Sequence, residues 1–230
     1  MFTAEGELKM IKIILLCLLC CLNAGVVSAE GDLDSILGGI QKNYGDLPGL
    51  TLSYQREVIT KSMSMMGGQI KGDLASGRMY FKPPNLLRLE QETPRPETVI
   101  SNEETLWWYQ PDKKCVYKYP AKEFGKEMRL LCDIFRGLIK VEERFEVKML
   151  DRNQKGENQI GLTPNPPWES IDRIIITVSD DNKIRLVGIH YQLGGVTMFT
   201  LNDVSAKKDF EEDYFSFSVP EGVTLIEENK

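Results

Sequence analysis

The chain has a single histidine, His190. A Ser-His-Asp or Cys-His arrangement would have to be built on it, and the sequence has no Gly-x-Ser-x-Gly elbow to hold the nucleophile. His190 falls in a predicted strand, where a lone imidazole is ordinarily a surface or hydrogen-bonded residue. Cysteine and histidine do not recur at the spacing a zinc site needs. Asp180-Asp181-Asn182 and Glu211-Glu212-Asp213 read as solvated turns rather than calcium loops. No phosphate loop is present, and no cofactor is expected. A pair of carboxylates can hydrolyse a substrate without histidine. A secreted carboxylate-dependent hydrolase therefore stands as an alternative, although nothing in the pattern argues for it.

The chemistry that remains is apolar. Phe81, Leu87, Leu89, Trp107, Trp108, Tyr117 and Tyr119 crowd large side chains onto short strands. Such faces fill either an ordinary sandwich core or an open barrel with space for an apolar ligand. Phe81-Lys82-Pro83-Pro84-Asn85-Leu86-Leu87-Arg88 starts a strand abruptly, because proline lacks a backbone donor and is confined to edges and strand starts. Thr105 to Gln110 is an aromatic-rich strand ended by Pro111-Asp112.

The elements around these residues follow from periodicity. Leu33, Ile36, Leu37, Ile40 and Tyr44 share one face of a helix that ends at Gly45-Asp46-Leu47-Pro48-Gly49. A second helix is predicted from Phe124 to Leu138, with Met128, Leu131, Cys132 and Phe135 on one face. Strands are predicted at 50–55, 69–81, 86–92, 98–101, 105–110, 115–119, 145–150, 159–162, 171–178, 183–193, 196–204 and 214–219. A sheet of that many antiparallel strands must curl or close, and the second helix is the natural plug or lid for its concave face. No repeat or linker divides the chain, so residues 30–230 read as one domain.

Residues 1–29 read as a cleaved secretory signal peptide. Lys9 and Lys12 flank the apolar run from Ile11 to Leu22, and Val27-Ser28-Ala29 puts small residues at a cleavage site before Glu30. Met10 is a second candidate start. Cys20 and Cys21 raise a lipoprotein signal as the rival, but neither follows the small residue that lipid attachment requires. Cleavage removes Glu5, Glu7, Lys9 and Lys12, so the net charge of −6 is unchanged. An acidic chain without a basic run is a poor nucleic-acid binder. The expected product is exported, and Cys115 and Cys132 are the cysteines it retains. In an oxidising compartment they can pair. The bridge would close a loop worth roughly 3 kcal/mol in the chain-entropy model. Two buried free thiols are the alternative.

Several motifs together resemble the periplasmic outer-membrane lipoprotein carrier family, LolA. They are the strand opening Leu50-Thr-Leu-Ser-Tyr-Gln55, Gly72-Asp-Leu, the Lys-Pro-Pro-Asn strand start at 82–85, Val99-Ile-Ser-Asn, Thr105-Leu-Trp-Trp-Tyr-Gln-Pro111 and Phe215-Ser-Phe-Ser-Val-Pro-Glu-Gly-Val223. The resemblance implies a mainly β fold with α-helices: an incomplete antiparallel barrel of about eleven strands with an α-helical lid over a hydrophobic cavity. It implies a non-enzymatic periplasmic chaperone, monomeric, that shelters the acyl chains of a lipoprotein between the two membranes. Its partners would be the acylated cargo, an inner-membrane ATP-driven release complex and an outer-membrane receptor. A lipoprotein-sensing regulator or the receptor itself would have the same fold. The family pattern often carries an arginine, associated with holding the lid closed, where this chain has Pro83. Lys82 and Arg88 are the nearby substitutes.

Strand parity then selects cavity residues. Leu87 and Leu89 share a face opposite Arg88 and Glu90, so the leucines should look inward. On the neighbouring strand both faces are apolar, and Leu106 and Trp108 are assigned inward. With Leu52, Tyr54 and Phe81 they form the expected lipid-binding wall, and Met128, Leu131 and Phe135 the expected lid face.

Overall fold

The computed structural model describes residues 29–65, 72–124 and 126–227. The predicted signal peptide, apart from Ala29, and the 66–71 segment before β2 lie outside them. Helix α1 spans Ala29–Tyr44. Strand β1 (Leu50–Thr60) runs into a short helix α2 (Lys61–Met65). Four strands follow: β2 (Asp73–Lys82), β3 (Leu86–Thr93), β4 (Glu97–Ser101) and β5 (Thr105–Gln110). Strand β6 (Cys115–Pro120) leads into α3 (Ala121–Phe124) and α4 (Lys126–Phe135). The second half is β7 (Phe145–Leu150), β8 (Asn158–Pro164), β9 (Ile171–Val178), β10 (Ile184–Tyr191), β11 (Gly195–Ala206) and β12 (Thr224–Glu227).

The twelve strands make one sheet in the order β12-β6-β5-β4-β3-β2-β1-β11-β10-β9-β8-β7. Every pairing is antiparallel except β12 with β6. The two end strands do not meet, so the sheet is an unclosed barrel. Strands β1 and β11, of 11 and 12 residues, form its long central pair.

Directly opposed residues share a face, so the register sorts the side chains. Leu50 opposes Phe81, Phe81 opposes Leu87, Leu87 opposes Ser101, and Ser101 opposes Leu106. One step along, Leu52, Met79, Leu89, Val99, Trp108 and Tyr117 form a parallel row. In the other half Ile160, Ile176, Val187 and Phe199 continue the same surface. This inner face, α1 and α4 enclose one apolar core. Gly77, opposite Tyr54, lets β2 and β3 approach closely at a register shift, since a Cβ there would stand 1.9 Å from the carbonyl oxygen of Glu90.

The outer face of the first half is covered differently. Tyr214 to Val219, predicted as a strand, is an irregular strap whose rings lie on the sheet. Tyr214 meets Tyr80 at 5.2 Å between centroids, and Phe217 meets Trp107 and Tyr109 at 5.5 and 5.4 Å. Its alternation reflects rings packing on a sheet rather than ladder pairing. The strand that does pair comes later: β12 joins β6 in parallel, and its Thr224 N–H donates to the carbonyl of Lys114 at 2.9 Å. The strap also engages Arg88. The guanidinium donates to Glu90 Oε1 at 2.7 Å and to the Tyr214 carbonyl at 3.0 Å, and lies 4.9 Å from the Tyr214 ring centroid.

Candidate functional site: the inner face and its helical cover

Helix α4 lies against β3, and its side chains fill the inner face. Leu130, Leu131 and Ile134 are wholly buried, Cys132 and Phe135 nearly so. The Phe135 ring sits 5.8 Å from that of Phe81. Two residues of the expected lid face, Leu131 and Phe135, are therefore core, while Met128 is only partly buried at the margin. Leu130 and Ile134 belong to the same face and are absent from the sequence-based expectation. They stand four residues apart, a spacing that marks a shared helical face.

The end of α4 is fixed by backbone chemistry. Gly137 adopts φ +77° and donates to the Ile134 carbonyl, and Leu138 donates to that of Asp133 at 3.0 Å, closing the helix in a left-handed cap. A Cβ at Gly137 would approach Gln41 Cα to 2.9 Å, so glycine also lets α4 abut the backbone of α1. Helix α1 is itself tied to the β9–β10 turn. Asn43 donates to the Asp181 and Asn182 carbonyls, and the Tyr44 hydroxyl accepts from Ile184 N–H at 3.1 Å.

The anchors of the cover are not those the sequence suggested. Lys82 is exposed, and Arg88 is held on the outer face. Instead Asp133 of α4 pairs with Arg144, just before β7, at 2.5 Å. The Arg144 guanidinium also stands 5.9 Å from both the Phe145 and Trp168 rings. Burial raises the Asp133 pKa, with Arg144 opposing the rise. A raised folded-state pKa means that the ionised form costs stability above that pKa and that the cost is relieved below it.

The expected wall residues all lie on the inner face. Leu52, Tyr54, Phe81, Leu87, Leu89 and Leu106 are buried, and Trp108 is half-buried. Leu106 and Trp108 share the face of Leu87 and Leu89 across β4; Leu106 opposes Tyr119, and the tilted Trp108 ring lies 5.4 Å from that of Tyr117. Toward the free edge, Val99, Trp108, Tyr117 and Tyr119 are only partly covered, forming an aromatic shelf. Beside α4 a crevice of about 290 Å³ opens, lined by Asn85, Ser101, Asn102, Arg129 and Cys132 among others.

Cys115 and Cys132 are separate buried thiols, so the bridge considered from the sequence is not formed. Cys115 opens β6 and contacts Gln110 at 3.8 Å. Cys132 lies by Ala121, beyond the other end of that strand. Five residue steps of strand amount to about 17 Å, whereas a disulfide needs Cα atoms within about 7 Å. Burial pushes the Cys132 thiol up to about 12. Thiol counting on denatured, unreduced mature protein should find two thiols. In the native protein Cys132 should resist alkylation at pH 8, since the thiolate is the reactive form. Fewer than two thiols would restore the bridge.

An unclosed sheet wrapped on a helical cover, with apolar residues on both, makes an apolar inner face that the cover's own side chains fill. Residues 66–218 match the family described as "Outer membrane lipoprotein carrier protein LolA", and the chain belongs to that family. Curated relatives agree. The chain is 26% identical to an outer-membrane lipoprotein carrier protein of Francisella philomiragia, over 95% of this chain and 98% of that one. It is 25% identical to one of Photorhabdus laumondii, over 95% and 99%. Among solved structures, an uncharacterized conserved protein from Thermus thermophilus shares the fold at a TM-score of 0.52 and 11% identity, covering 86% of this chain and 99% of that one.

Proposed function

We propose that this protein is a periplasmic carrier that moves acylated lipoproteins from the inner to the outer membrane, sheltering their acyl chains on the inner face beneath α4. The observation that carries the reading is the apolar face of α4 lying directly on the sheet, together with membership of the carrier family. Leu130, Leu131, Ile134 and Phe135 each contribute roughly 1.5–3 kcal/mol by burial, so lifting the helix uncovers on the order of 10 kcal/mol of apolar contact. Each acyl methylene that takes their place returns about 0.8 kcal/mol, so about a dozen methylenes offset the opening. Cargo and cover thus compete for one surface at comparable free energy, and a partner that favours either state can load or unload the carrier. The partners in this reading are an inner-membrane ATP-driven release complex and an outer-membrane receptor. No catalytic step is part of it.

The test is transfer of a purified lipoprotein from membrane vesicles into a soluble fraction. The protein should solubilise the lipoprotein in a one-to-one complex, and should form no such complex with the same polypeptide lacking its acyl chains. Failure to extract the acylated form would overturn the reading.

Export is part of the same reading, with residues 1–29 as the cleaved signal. The intact mass of protein recovered from the periplasm should begin at Glu30 and carry no lipid. A diacylglyceryl group on Cys20 or Cys21 would make it a membrane-anchored receptor instead.

A further inference from the structure

We propose that the inner face holds a polar subsite, centred on Arg56, for the carbonyl oxygen of the ester or amide that joins an acyl chain to its cargo. The proposal rests on the carrier reading and adds to it a position for the junction between chain and headgroup.

Arg56 lies in the middle of the sheet. It opposes Ala75 on one side and Phe199 on the other, and both of those are buried. Its neighbours along the inner face are Tyr54 and, one strand pair away, Gln91 and Glu97, which oppose each other. The polar groups here are mutually engaged. Arg56 Nη2 donates to Gln91 Oε1 at 3.1 Å, and Gln91 Nε2 donates to the Arg95 carbonyl at 2.9 Å. Glu97 accepts from Trp108 Nε1 at 2.9 Å and from Gln110 Nε2 at 3.3 Å.

The Glu97 carboxylate and the Gln91 carbonyl are thus already taken, but donor capacity is left over. Among the described residues, Arg56 Nε is a buried side-chain nitrogen without a hydrogen-bond partner. A buried donor left unmade is costly, and that cost disappears when an acceptor arrives. Tyr54, its neighbour on the inner face, is buried, and burial pushes that hydroxyl up to about 12. A hydrogen bond formed there is stronger than one in water. One arginine and one carboxylate balance in charge, so the complement is a neutral oxygen rather than an anion.

The placement matches an acylated amphiphile. The lid-covered leucines take hydrocarbon. The aromatic shelf of Trp108 and Tyr117 continues the Leu89 row toward the free edge, and Trp108 Nε1 reaches Glu97 of the polar row, as rings with one apolar and one polar end do at a membrane interface. A carbonyl at Arg56 would fix how deep the chains sit.

The experiment compares a diacylglyceryl-cysteine peptide with its dialkyl ether analogue, which has the same chains without ester carbonyls. Both are titrated against the purified mature protein by displacement of a fluorescent fatty-chain probe. Wild type should prefer the ester by about tenfold, the scale of a hydrogen bond to a charged group. Arg56→Met should bind the ether as wild type does and lose the preference. Its melting temperature serves as the folding control. Should it not fold, Arg56→Lys, which keeps the charge but lacks Nε, should reduce the preference at least threefold. Equal wild-type affinity for ester and ether, or a preference undiminished in the variants, overturns the subsite and leaves the carrier reading standing. Binding of neither compound by wild type would overturn both. A short-chain phospholipid competitor then separates the sources of the carbonyl. Competition equal to that of the peptide supports any lipid ester, and weaker competition supports the acylated polypeptide.

Discussion

Leu89→Asp should fold and fail to accept a lipoprotein. Leu89 lies on the inner face of β3, 6% exposed, in register with Met79 and Val99 and within the core that α4 covers. A carboxylate there meets acyl chains on one side and apolar side chains on the other. Unless it takes up a proton, its burial costs several kcal/mol. In the empty protein part of that cost is avoided if α4 lifts and water reaches the group, whereas with cargo bound no such escape exists. Transfer from vesicles should fall by at least tenfold while far-ultraviolet circular dichroism stays native. Asp at Arg88, one residue away on the outer face, should lower stability by loosening the Tyr214 strap yet leave transfer within about twofold, a magnitude expected of surface changes. If folded Leu89→Asp solubilises as much lipoprotein as wild type, cargo does not lie against this strand.

Phe135→Ala should separate the cover from the rest of the fold. The ring is 1% exposed and packs on Phe81. Truncating a buried phenylalanine generally costs about 3–5 kcal/mol. Part of that cost falls on global stability and part on the closed position of α4, which the Gly137 cap and the Asp133–Arg144 pair retain at one end. The variant should melt several degrees lower, bind an apolar dye more strongly than wild type does, and extract lipoprotein faster while releasing it more slowly, because cargo then competes with a weaker cover. Unchanged dye binding and unchanged transfer rates would show that α4 does not move in function.

Strand parity is sufficient to orient β3. Arg88 and Glu90 cannot share a face with the core unless paired within it, and they pair on the outside. The same argument is weaker for β5, where both faces are apolar. The reason is visible in the structure: Trp107 and Tyr109 are covered by Phe217 of the C-terminal strap, so the outer face of this strand is also partly buried. The alternating rings of that strap predict a strand, and alternation alone does not distinguish ladder pairing from rings laid on a neighbouring surface. The second half of the inner face, Ile160, Leu162, Ile174, Ile176 and Ile189, is legible as strands but not as part of the site. Nothing local says which strands of a curled sheet will share a cavity. That depends on the β1–β11 pairing, between segments some 150 residues apart. The Asp133–Arg144 pair is equally hidden, since many acid–base pairs stand eleven residues apart by chance.

The missing seam between β12 and β7 carries a mechanical consequence. A closed barrel has its girth fixed by strand number and stagger, and its bore cannot change without breaking a ladder. A sheet with two loose margins can flatten or curl by small adjustments of twist shared among twelve strands, while every existing hydrogen bond is kept. Such a wall can gather around three chains or two, or draw in when empty, so tolerance of differently decorated passengers requires no specialised pocket for each.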